Sequence, residues 1–186
     1  MNKAKVGIPD NVRYVLKDAD GNIKPLFQEN KIARFLRKKF GFNLPKIPLL
    51  IGRWVNEMVV ANLTTTAGKA GVASRINGSG GEAAFDYIAI GTGTTAAAIG
   101  DTTLESEITT NGGQRGAATV SRVTTDTTND TAQMLLTFTF TGSFAVTESG
   151  VLNAASSGTL LCRQVFSAIN VASGDSLQIT WQIDVD

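Results

Sequence analysis

The chain has 186 residues, with 17 Lys plus Arg against 16 Asp plus Glu, no histidine and one cysteine. That length supports one good core, or a core with a small attached subdomain. The absence of histidine excludes Ser-His and Cys-His dyads and imidazole metal ligands, and a lone Cys162 excludes an internal disulfide.

The near-neutral total hides a strong asymmetry. Lys31, Arg34, Arg37, Lys38, Lys39, Lys46 and Arg53 are seven cations in a stretch without an acid, whereas Gly100 to the end holds three arginines and nine acids. A basic front on a weakly acidic body implies that the front meets an acidic partner. Threonine and serine are absent before Thr64 and abundant after it, which leans the second part toward β-structure, because threonine suits the exposed face of a pleated strand.

In chain order, Val12 to Asn30 predicts a hairpin about the turn Asp18-Ala19-Asp20-Gly21-Asn22. Lys31 to Phe40 predicts a helix with Ile32, Phe35, Leu36 and Phe40 on its packed face and Gly41 as its stop. Phe42 to Pro48, with two prolines, predicts an extended arm, and Trp54 to Asn62 starts a strand or a helix. Thr64 to Asn77 carries an N-capping threonine and alanine-rich helical content that Gly68 and Gly71 weaken, and GSGG at 78–81 is a joint.

Beyond the joint, strands are expected at Phe85–Ile90, Ala117–Thr125, Gln133–Thr141, Thr159–Phe166 and Leu177–Val185. The last is the plainest, with Leu177, Ile179, Trp181, Ile183 and Val185 alternating with polar residues, as in a half-buried antiparallel strand. The fold class expected is mainly β: an antiparallel β-sandwich or jelly-roll body at 62–186, preceded by a basic hairpin, helix and arm region at 1–61 that serves as an anchor. The start MNKAKVGIPD has no apolar signal-peptide core and IPLLIGRWV is too short to span a bilayer, so a soluble protein without a membrane span is expected.

Four features invite chemistry. Gly91-Thr92-Gly93-Thr94-Thr95-Ala96 has the G-x-G-x-x-A spacing of a dinucleotide loop. The second strand and acid that such a site needs would fall in the turn-like Thr109-Thr110-Asn111-Gly112-Gly113, so a tight turn is the better reading and no cofactor is expected. Asp101, Glu105 and Glu107 could form a paired acid/base site, but their polar setting favours a solvated surface or a contact with a neighbouring subunit, and no catalytic residue is expected. Asp126 and Asp130 offer oxygens to calcium without the EF-hand spacing, so no metal is expected. Finally, Lys31, Arg34, Arg37, Lys38, Lys39, Lys46 and Arg53, with Trp54, form a partner-docking segment in which protein is favoured over nucleic acid.

From Asn62 onward a series of short motifs stands out: NLTTTAGKA, FDYIAIGTGTTAA, DTTLESE, VTESGVLNA, GTLLCRQVF and SGDSLQITW. In this order they resemble a widespread group of small structural proteins of tailed bacteriophages, the head-accessory and tail-fibre type. The resemblance implies a non-enzymatic, homo-oligomeric virion protein whose partners are capsid or tail subunits. A capsid decoration (cement) protein docked through its basic front is the leading expectation. A tail or neck fibre component, or a host-glycan-binding module, is the alternative.

Overall fold

The computed structural model describes residues 10–40, 46 and 50–185. Its elements in order are β1 (Asp10–Lys17), β2 (Ile23–Lys24), β3 (Leu26–Glu29), α1 (Lys31–Phe40), β4 (Gly52–Val55), β5 (Met58–Ala61), β6 (Leu63–Thr64), α2 (Thr66–Asn77) and β7 (Tyr87–Gly91). There follow β8 (Gly116–Ala117), β9 (Thr119–Val123), β10 (Thr131–Thr139), β11 (Phe144–Leu152), β12 (Leu160–Val171) and β13 (Ser176–Asp184). The extended arm expected at Phe42–Pro48 lies outside the described residues, Lys46 excepted.

Period-two alternation becomes two facing antiparallel sheets, as a mainly-β sandwich requires. One sheet runs β2-β1-β13-β10-β9, with β5 sharing the β2 side of β1, and the other runs β6-β12-β11-β7-β8. A third, two-stranded piece joins β3 to β4. On β13 the side chains of Leu177, Ile179, Trp181 and Ile183 are buried as expected, whereas Val185 lies past the strand end and is exposed. They meet Met134 and Phe138 of β10, Val146 and Val151 of β11, and Phe166 and Ile169 of β12 in one core.

The boundary expected at 61/62 does not divide the structure. β1 pairs with β13 along its whole length, Asp10↔Ile183 through Lys17↔Ser176, and with β5 at Asn11–Tyr14. Val12, Tyr14 and Leu16 are therefore core residues, and Tyr14 reaches the opposite sheet to share a 2.7 Å hydrogen bond with Ser149 Oγ. Its ring lies 4.4 Å from that of Phe166, and burial holds the phenol pKa well above its ordinary range. The hairpin expectation holds at β1–β2, where the Asp18 carboxylate accepts the Asp20 and Asn22 amides and Gly21 takes φ 85°.

Helix α2 is capped by Thr65, whose hydroxyl accepts from the Gly68 amide and donates to Leu160 O, and it ends at Gly78 in the left-handed region. Gly68 weakens the helix only in isolation. A Cβ there would run into the Leu161 backbone, and one at Gly71 would sit 2.6 Å from the Phe85 ring, so Gly68 lets α2 lie close on β12 and Gly71 makes room for Phe85. Gly68→Ala is therefore expected to be destabilising. The helix-propensity gain of about 1 kcal/mol is outweighed by an overpacking cost of about 1–3 kcal/mol. A chemical denaturation midpoint at or above wild type would refute the close-packing account.

Helix α1 departs from expectation in which side it buries. Asn30 caps it, its side chain accepting the Ala33 amide. Ala33, with Phe27 and Ile51, forms the small buried cluster, while Ile32 and Phe35 are exposed. The helix rests on the β3–β4 piece through Ala33; Ile32 and Phe35 face outward, and Leu36 is half-buried. The Phe40 side chain lies outside the described residues.

Candidate functional site: a carboxylate-anchored loop and a cationic flank

The stretch 92–107 returns across the outer face of the second sheet, and two devices hold it there. The first is apolar: Leu104 joins Ala89, Leu152 and Leu160. The second starts from a register shift in β11 between Val146 and Glu148. A bulge turns successive side chains to the same side. Thr147 and Glu148 thus both aim at the loop, where Thr147 Oγ1 donates to Gly93 O at 2.7 Å and Glu148 takes the Gly93 amide at 3.0 Å.

Glu148 is fully buried and satisfied by donors alone. Its Oε1 accepts from the Gly93 and Ser106 amides at 3.0 and 2.7 Å, and its Oε2 from the Glu105 amide and Arg163 Nε at 3.0 and 2.8 Å. Arg163, on neighbouring β12, is also buried and extends to Asp101 at 2.8 Å and Glu105 at 3.5 Å. Burial works against its charge, but the bonds to Glu148 and Asp101 prevail and raise its pKa. Glu105 also takes the Thr95 hydroxyl and amide at 2.7 Å each, which with Arg163 lowers its pKa. Asp101 takes the Ala98 amide.

The glycine loop is therefore an anion cradle filled from within. The Gly93 amide that a pyrophosphate would need is given to Glu148, and among the described residues β7 pairs antiparallel with β11 and β8, which is not the parallel βαβ frame of a dinucleotide site. The glycines are needed because a Cβ at Gly93 would stand 2.5 Å from the Glu148 carboxylate, and one at Gly91 would meet that carboxylate and Ser106 O.

Glu107 belongs to a separate clasp. Arg115 holds both its oxygens, at 2.9 and 2.7 Å, and donates to Ala154 O and Ser157 O. Asp101, Glu105 and Glu107, expected together at a subunit boundary, each have a partner within the chain. Asp130 closes the β9–β10 loop by accepting the Thr125, Asp126 and Thr127 amides, which hold its carboxyl far below the usual range. Its oxygens thus close a turn. Among the described residues no group of three or more metal-ligating side chains comes together.

The expected docking residues group on α1 and β4. Lys31 and Arg53 are exposed. Lys46 donates to Ala168 O and stands 5.9 Å from the Trp54 ring centre, and Lys39 stands 5.6 Å from that of Phe35. Arg34 donates to Glu29 O and lines a shallow groove of about 210 Å³ with Ala61, Asn62, Ala96 and Gln164. The side chains of Arg37 and Lys38 lie outside the described residues.

Sequence reasoning assigned no role to Glu148 or Arg163, which entered only inside the motifs VTESGVLNA and GTLLCRQVF. The available signal was a single charge inside each of two otherwise apolar or small runs, VTESGVL and LLCRQVF, since buried charges come in pairs. Together, fold and site define a mainly-β antiparallel sandwich with a carboxylate-anchored outer loop and a cationic flank. Comparison with protein-family models, curated proteins and solved structures found no match. Among the described residues no helix is long and apolar enough to cross a membrane.

Proposed function

We propose that the chain is a non-enzymatic structural protein of a tailed-bacteriophage virion, a capsid decoration protein that docks through its basic N-terminal region. The observation that carries the reading is how charge is used. In the body, acids are spent on the chain's own loops, with Glu148, Asp101 and Glu105 on Arg163 and Glu107 on Arg115. Near the front, among the described residues, Lys31, Arg34, Lys46 and Arg53 form no ion pair.

The motif series from Asn62 to Trp181 supplies the virion context as a resemblance, and closed ring or trimer symmetry follows the general habit of homo-oligomers. Many weak contacts multiplied by avidity would hold such a subunit on a shell. The test is mass spectrometry and antibody labelling of purified particles. Labelling over the head supports decoration, labelling at the tail or neck supports the fibre alternative, and absence from particles refutes both.

A further inference from the structure

We propose that α1 and the β3–β4 piece bind an acidic, amphipathic segment of a different protein, with carboxylates set among aliphatic side chains. This names the partner chemistry of the docking region and rests on the docking reading above. Among the described residues of 32–54, four large apolar side chains are at least half exposed: Ile32 66%, Phe35 56%, Leu50 65% and Trp54 51%. Ile32 and Phe35 share one helix face by their three-residue spacing, and Leu50 is joined to the helix cap, its carbonyl accepting the Asn30 side-chain amide at 2.9 Å. An exposed apolar group of this kind, rimmed by cations, marks an interaction surface.

Charge decides the occupant. The surface brings Lys31, Lys46 and Arg53 and calls for carboxylates. A second copy of this chain is a poor source of them. Its Asp101, Glu105 and Glu148 are engaged by Arg163, its Glu107 by Arg115, its Asp175 by Lys24 and its Asp130 by backbone amides. Among the described residues that leaves scattered acids such as the exposed Asp126 and no cluster to match the cations. Nucleic acid would use the cations and the rings of Phe35 and Trp54, yet it offers nothing to Ile32 and Leu50. A segment with Asp or Glu beside Leu, Ile or Val satisfies both halves, the apolar contacts supplying burial and the charges steering approach.

Trp54 supplies the readout, because the second tryptophan, Trp181, is wholly buried. The full chain is titrated with a synthetic helical peptide bearing Glu and Leu faces, with oligoglutamate of equal charge, and with an oligo-dT strand, following tryptophan emission. Saturable binding of the Glu/Leu peptide is expected, weakening with salt and falling at least about tenfold in Trp54→Ala and in Lys31→Glu/Arg53→Glu. For Trp54→Ala, which removes the reporter, binding is followed by calorimetry. These side chains are exposed, and an unchanged melting curve will confirm that the variants fold.

No saturable peptide binding, equal binding of oligoglutamate, or tighter binding of oligo-dT overturns the proposal. So does sedimentation showing that the chain's own self-association occupies this face and is lost in the same variants. If the protein is found on particles yet ignores the peptide, the partner chemistry fails while the virion reading stands. If it binds the peptide but is absent from particles, the virion reading fails while the partner chemistry stands.

Discussion

Replacing Glu148 by alanine is expected to cost about 3–5 kcal/mol of stability, the usual result of removing one member of a buried charge pair. For a chain of this size each kcal/mol lowers Tm by roughly 2–4 °C, so a drop on the order of 10 °C is expected in a thermal melt. The cost arises because Arg163 and the Gly93, Glu105 and Ser106 amides would all be left in a buried site without their acceptor. Glu148→Gln is expected to be little better despite its matching shape. All four partners are donors, so the new amide nitrogen would face two of them wherever it points.

Because the pair acts as a unit, Glu148→Ala/Arg163→Ala is expected to lose less than the sum of the single losses. The local signature is loss of protection of the Gly93 and Ser106 amides in hydrogen exchange. A Glu148→Ala melt within about 2 °C of wild type, where even 1 kcal/mol would register, would end the anchor account.

A chain lacking residues 1–53 is expected to have no cooperative unfolding transition. Sequence alone marks that region as a detachable front, but the cut removes β2 and also β1, which lies between β13 and β5. Val12, Tyr14 and Leu16 leave the core with it, and Leu177, Ile179 and Trp181 lose their cover. Three buried side chains of this size contribute about 1.5–3 kcal/mol each, against a typical total of about 5–15 kcal/mol. The unpaired β13 backbone adds to the loss, and the exposed edge invites aggregation. Circular dichroism and dye binding decide the matter: a sigmoidal melt with native-like aromatic signal in the truncated protein would restore the detachable-front view. Docking is therefore better probed by side-chain changes on α1 and β4 than by deletion.

These two results divide what is local from what is not. β10 and β13, the turn at Asp18–Asn22 and the capping threonine of α2 were legible from the residues alone. Strand alternation, glycine conformation and capping are each set by residues a few positions apart. The residues also marked the front as cationic, whereas the tight turn expected at GTGT is not what forms: residues 92–94 run on from β7, with the Thr92 amide bonded to Ser106 O. They placed β11 nowhere, because VTESGVL does not alternate: a bulge reverses its faces at Thr147, and both faces of the strand are covered.

The convergence of Asp101 and Glu105 on Arg163, and the filling of the glycine loop by Glu148, follow from the packing of the sheets rather than from any local pattern. Those bonds span sequence separations of 62, 58 and 55 residues. The same holds for the N-terminal strand, whose period-two pattern makes it a strand but whose neighbour, β13, lies at the other end of the sequence. A strand's backbone edge carries no record of which distant edge will pair with it. That choice is made by the core the two strands must close together.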